Sequence, residues 1–198
     1  MSSIEKIADL LTHYIVKNEA IKAEDSEIYR YGFLIGIEMF ICIATCYGIA
    51  IPMGMAKECT VFFLIFFSLR SFVGGVHMSS YKKCFVCSCM VVFLTLLAIK
   101  NISLSNKWAL GIICCEILII LFLNPVENEN RPVDGCEKRI FAHTIKRILV
   151  IILGVTCVLF TAGYNDYLVV ITYTLGVIII SMLLGKVKRK ENDSGMRE

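Results

Sequence analysis

The sequence predicts an all-α, polytopic membrane protein. Three observations carry this reading. The 198 residues are 57% hydrophobic, against about 45–50% for an ordinary soluble domain, and the mean hydropathy is +0.73. The apolar residues are gathered into six blocks, near 32–53, 56–69, 84–99, 108–123, 148–163 and 167–185; a bilayer core asks for about 20 apolar residues per helix, with about 17 as a working minimum. The basic residues are also sorted by side. If all six blocks cross, only Lys57, Lys100 and Lys107 fall on one face, while the other seventeen of the twenty Lys and Arg residues fall on the opposite one. Lys and Arg concentrate in cytoplasmic loops, so both termini and the 70–83 segment are expected in the cytoplasm.

The elements follow in order. Residues 3–17 set Ile4, Ile7, Leu10, Leu11, Tyr14 and Ile15 at helical spacing among Glu5, Lys6, Asp9 and Lys17, the pattern of an amphipathic helix lying on a membrane or on the protein itself. Charges interrupt this segment every few residues, so it does not read as a cleavable signal peptide. The second and third blocks are short and flank a polar segment, which leaves room for a tilted or partly re-entrant helix. The tail 186–198 is polar and reads as mobile and cytoplasmic. The whole chain, 1–198, is expected to form a single membrane domain, with transmembrane helices within 32–185. The small net charge of +3 and the lack of a basic patch interleaved with aromatics give no sign of nucleic-acid binding.

Ten cysteines stand mostly inside apolar runs, where a thiol behaves as a small hydrophobe; this is not the framework of a secreted disulfide protein. One of them differs. Arg70-Ser-Phe-Val-Gly-Gly-Val-His-Met-Ser-Ser-Tyr-Lys-Lys-Cys84 is the only stretch between blocks that combines His, Cys, Arg, Ser and paired Gly. Cys84 is the candidate nucleophile and His77 the candidate general base, which returns the proton to a leaving amine. Seven residues on an unbroken helix would separate them by about 10 Å along the axis, and direct proton transfer needs about 3 Å. The pair therefore requires a chain break, for which Gly74-Gly75 and Ser79-Ser80 are the candidates. Cys84 would then open the next helix, at an N-terminus that favours a thiolate.

Plainer roles compete at each position. Arg70 also suits a topology anchor, Lys82 and Lys83 obey the positive-inside pattern, and Gly74-Gly75 suits a simple turn. A zinc site from His77, Cys84, Cys87 and Cys89 is set aside because Cys87 and Cys89 fall in an apolar helix and point to different faces. No metal and no cofactor is expected. Glu38 and Glu116 lie within blocks, where carboxylates are costly and often functional. Glu38 is a candidate for orienting His77 or lining a substrate cavity, with a structural role equally open; Glu116 reads as structural.

The string Arg70, Gly74, Gly75, His77 and Cys84 resembles the signature of the accessory gene regulator protein B (AgrB) family, membrane cysteine endopeptidases of Gram-positive bacteria. A second stretch, Pro125-Val-Glu-Asn-Glu-Asn-Arg-Pro132, is similar to that family's Pro-x-(Asp/Glu)-x-x-x-x-Pro segment, and Tyr31-Gly32 is similar to the head of its first span. The number of cysteines departs from the family pattern. The resemblance implies the substrate, an AgrD-like propeptide with an amphipathic leader and an acidic tail. It implies that Cys84 attacks the bond before the tail, with His77 as base and then acid, and that a substrate Cys or Ser captures the acyl group as a thiolactone or lactone. Arg70, Gly75 and Glu38 are candidate supporting or substrate-binding residues, and a homodimer in the lipid bilayer is the implied assembly. The reading from another class is a small membrane transporter or scaffold, which calls for intramembrane polar groups converging from several spans; the blocks offer only Glu38 and Glu116.

Overall fold

The computed structural model describes residues 3–75, 81–123 and 135–195, and side chains within 4–75, 81–123 and 137–188. The described residues form seven α-helices and no strand: α1 (Ser3–Lys17), α2 (Ser26–Ala50), α3 (Ala56–Val73), α4 (Tyr81–Asn101), α5 (Asn106–Phe122), α6 (Gly135–Ala162) and α7 (Asn165–Gly195). A 3₁₀ turn at Ala23–Asp25 leads into α2. In hydrocarbon every backbone N–H and C=O must find a partner inside its own segment, and a helix provides this.

Four helices among the described residues are long and apolar enough to cross a bilayer: those within Ala23–Ala50, Tyr81–Asn101, Glu137–Ala162 and Asn165–Lys188. Between them stand α3 and α5. The α3 helix has 18 residues and carries Lys57, Glu58 and Arg70, and α5 has 17. At 1.5 Å per residue these helices are about 26–27 Å long, slightly under a typical hydrocarbon thickness of about 30 Å. Each apolar block thus lies largely on one continuous helix, the short second and third on α3 and α4. The helices outrun the blocks at their polar ends: α2 starts at Ser26, α6 at Gly135, and α7 runs on through Lys186 to Gly195. The expected mobile tail is therefore helical up to that point. Lys, Arg and Glu are good helix formers, so charge ends the apolar run without ending the helix.

The α7 helix is the central post. Of its most apolar window 56% is buried, against 11% for α2, 17% for α4 and 22% for α6. Leu168, Ile171, Leu175, Ile178 and Met182 of α7 meet Leu69 and Val73 of α3, Ile113, Ile117 and Ile120 of α5, and Leu149 of α6 in one core. A second core joins Cys46 and Ala50 of α2, Cys59 and Phe62 of α3, and Val92 and Leu96 of α4, with Val170 of α7. Buried threonines close their hydroxyls onto their own helix, as Thr156 does on the Ile152 carbonyl at 2.7 Å and Thr174 on the Val170 carbonyl at 2.7 Å. Each of these hydroxyls thereby has a partner in apolar surroundings. The outer faces carry exposed apolar side chains such as Phe40, Leu94, Phe122, Val150 and Leu184, as lipid contact requires.

The α1 helix rests on α2. Ala8 and Thr12 are buried, and Asp9 pairs with Arg30. Ile7, Leu10 and Tyr14 stay exposed; at spacings of three and four residues they share one face.

Candidate active site

Helix α3 ends where glycine lets it end. Gly74 has φ +70° and Gly75 has φ +147°, and a side chain at either would be strained. Arg70 occupies the last turn of α3 and is half-buried, and Gly75 is buried beneath it. A β-carbon at position 75 would stand 2.5 Å from Ser181 Oγ of α7, 2.8 Å from Arg70 Cζ and 3.0 Å from Arg70 Nη2. The bare glycine thus lets the guanidinium fold over the start of the connection and pack towards α7.

The chain is helical again from Tyr81, which puts Cys84 in the first turn of α4, exposed to solvent. Arg70 and Cys84 lie within electrostatic reach of each other across the break between α3 and α4. His77, like Ser79 and Ser80, lies outside the described residues. Lys82 and Lys83 are exposed beside Cys84 and, with Val86 and Cys87, line a shallow open groove along α4.

Glu38 stands half-buried on α2, against the start of α4. The Tyr81 hydroxyl donates to the Glu38 backbone carbonyl at 3.4 Å. The Glu38 carboxylate and the thiols of Cys42, Cys84 and Cys89 all lie within electrostatic reach of Tyr81. Four of the five predicted site residues are thus described: Arg70, Gly75 and Cys84 gather at one end of the bundle, and Glu38 is connected to them through Tyr81. Sequence reasoning missed Ser181 and Tyr81. Ser181 reaches the site only because α7 packs on α3, a contact between segments more than a hundred residues apart, and no local pattern announces it.

Glu116 of α5 lies against α7, with Oε1 3.2 Å from where a β-carbon of Gly176 would sit. Its Oε2 is buried and makes no hydrogen bond among the described residues. Elsewhere the sulfurs of Cys42, Cys46 and Cys89 converge, all within 4.8 Å of one another. Cys89 therefore does turn away from Cys87, as its spacing required, but it meets two thiols of α2.

The family model described as accessory gene regulator B matches residues 8–184, nearly the whole chain. The chain belongs to the accessory gene regulator B family. An AgrB-like protein of Listeria monocytogenes serotype 4a is 27% identical over 192 residues, covering 94% of this chain and 90% of the relative. AgrB-like proteins of Listeria monocytogenes serotype 4b and Listeria welshimeri are 28% and 25% identical, each over 146 residues that make up 72% of this chain and 68% of the relative. No solved structure matches. Membership in the accessory gene regulator B family, together with the apolar helices, makes this a membrane protein with a role in accessory gene regulator peptide processing.

Proposed function

We propose that the chain is a membrane-embedded cysteine endopeptidase that removes the C-terminal tail of an AgrD-like propeptide and promotes closure of a thiolactone or lactone ring. The observation that carries this reading is Cys84 itself: an exposed thiol in the first turn of a helix, with Arg70 in electrostatic reach. Cysteine nucleophiles characteristically sit at helix N-termini and beside basic side chains.

The reaction runs in two balanced steps. His77 takes the Cys84 proton, and the thiolate adds to the carbonyl before the substrate tail. The C–N bond breaks, His77 returns the proton to the leaving amine, and a thioester joins the substrate to Cys84. A Cys or Ser side chain of the same substrate then attacks that thioester, gives up its proton, and releases Cys84 as the ring closes. Exchange between thioesters is nearly isoenergetic, so the site must keep water away from the acyl-enzyme, and a membrane edge suits that need. Arg70 is the group to meet the acidic tail or a backbone carbonyl. Gly75 makes room for Arg70, and the Glu38 carboxylate, within electrostatic reach of Tyr81, is a supporting group at the start of α4. No cofactor takes part.

In this reading α2 to α7 all cross, making six spans in a single membrane domain with both termini and the 70–83 segment in the cytoplasm. The slightly short α3 and α5 are shielded by their neighbours and accommodated by local thinning of the bilayer. The α1 helix then lies on the cytoplasmic surface as an amphipathic helix, with Ile7, Leu10 and Tyr14 turned to lipid, and the protein works as a homodimer. The test is co-expression with an AgrD-like propeptide, followed by mass spectrometry. Loss of the tail with the wild-type chain, and an intact propeptide with the Cys84→Ser chain, is the expected result. An intact propeptide in both would overturn the reading and leave a transporter or scaffold.

A further inference from the structure

The cluster of Cys42, Cys46 and Cys89 has no part in the chemistry proposed for Cys84. Cys42 and Cys46 are four residues apart on α2, so one helical face carries both. Cys89 comes from α4, five residues beyond Cys84 and about 7.5 Å further along the axis. The three sulfurs lie within 4.8 Å of one another. The Cys42 thiol lies close to Cys46, Cys89 and the Ser88 hydroxyl. Cys46 is fully buried, and Cys42 and Cys89 are half-buried. Cysteine used only as a small core filler has no reason to bring three sulfurs from two helices to one point. The other buried cysteine among the described residues, Cys59, packs in the same core outside this cluster.

The spacing matches a metal. A metal–sulfur bond of about 2.3 Å places three sulfurs around one ion at a mutual separation of roughly 4 Å in a planar trigonal arrangement. The observed upper bound of 4.8 Å is within a rotamer adjustment of that. The donor set also selects the ion. Among the described residues the group consists of three sulfurs. Soft thiolates select monovalent copper among the common ions.

We propose that Cys42, Cys46 and Cys89 form a three-sulfur site for a soft monovalent metal ion, copper(I) being the type. The metal replaces thiol protons, which leave to bulk water as the metal–sulfur bonds form; no electron is transferred. A bound ion ties α2 to α4 a turn and a half below Cys84.

The experiment uses the full chain, purified in detergent and kept reduced by a phosphine. Copper(I) is titrated against a chromogenic chelator, and alkylation followed by mass spectrometry reports which thiols the metal protects. The expected result is protection of Cys42, Cys46 and Cys89 together at the first equivalent. Cys42→Ser, Cys46→Ser and Cys89→Ser should each bind that equivalent at least tenfold more weakly, because even losing an outer-shell partner costs a metal site about 10–100-fold. Cys84→Ser and Cys157→Ser should retain it. Unhindered alkylation of the three thiols in copper-loaded wild type would overturn the proposal, as would first-equivalent binding that survives all three substitutions. The protection readout needs only the unsubstituted chain, so it decides the matter even if a variant fails to fold.

Discussion

The guanidinium carbon of Arg70 stands 2.8 Å from the point where a β-carbon on residue 75 would sit. Gly75 is also at φ +147° with Ser181 Oγ 2.5 Å from the same point, so an added methyl has no free direction. Gly75→Ala should displace Arg70 and reduce propeptide cleavage at least tenfold while the protein still inserts, and Gly75→Leu should abolish it. Arg70→Ala should reproduce the loss without the clash. Gly32→Ala, where a β-carbon meets open space, is the control and should cleave normally. Wild-type cleavage by both Gly75→Leu and Arg70→Ala would reduce these residues to packing and topology.

Cys84 and His77 are expected to act as a dyad. Cys84→Ser should abolish tail release, since an alkoxide is far harder to form than a thiolate. His77→Ala should lower it by about two to four orders of magnitude, the usual share of acid–base catalysis. A chain retaining only Cys84 among its cysteines should still cleave and trap a thioester-linked substrate fragment. Tail release by Cys84→Ser, or a folded but inactive Cys84-only chain, would refute the assignment.

Much of this arrangement was legible in the residues. Six apolar blocks announced α2 to α7, because a bilayer leaves helix formation as the only use for such a run. Paired glycines announced the end of α3, because each adopts a φ that other residues avoid. What could not be read was which helices touch. The Cys42–Cys46 spacing was visible, but Cys89 joins them only through the packing of α2 on α4. Ser181 reaches Gly75 only because α7 is the central post. The polar extensions of α2, α6 and α7 were lost for a different reason: hydropathy reports where a helix meets lipid, not where it stops.

The substrate's acidic tail should be read by charge. Lys82 and Lys83 line the open groove beside Cys84, and seventeen of the twenty basic residues fall on the same proposed face. Such a surface attracts an anionic peptide and does so less well as salt rises. Neutralising the acidic residues of the tail should slow cleavage, and added salt in detergent should slow the acidic substrate more than the neutral one. Equal rates for both tails at low salt would remove this role.

Topology is open to a direct test. In the six-span arrangement position 77 faces the cytoplasm, while the turn 51–55 and the 102–105 connection face outward. A single reporter cysteine at 77, in a chain otherwise stripped of cysteine, should resist a membrane-impermeant reagent in whole cells and react after lysis. A reporter at 103 should react in both. Labelling at 77 from outside would break the assignment of sides.

The contact between α5 and α7 sets the last expectation. Gly176 lets the Glu116 carboxylate lie flat against α7, and a β-carbon at 176 would meet Oε1 at 3.2 Å. That is a few tenths of an ångström too close, and Glu116 is a flexible side chain, so Gly176→Ala should cost little, below about 1 kcal/mol. Gly176→Leu has no such escape. It must push apart two helices that share Ile113, Ile117 and Leu175 in one core, and overpacking of this kind costs about 1–3 kcal/mol. Glu116→Gln keeps the shape and should fold normally. Pairing Gly176→Leu with Glu116→Ala should recover part of the loss, because the removed carboxylate vacates the space that the leucine needs; non-additivity of this sort identifies a direct contact. Thermal unfolding in detergent measures all four variants. If the double variant is no better than Gly176→Leu alone, Glu116 is not what the larger side chain strikes.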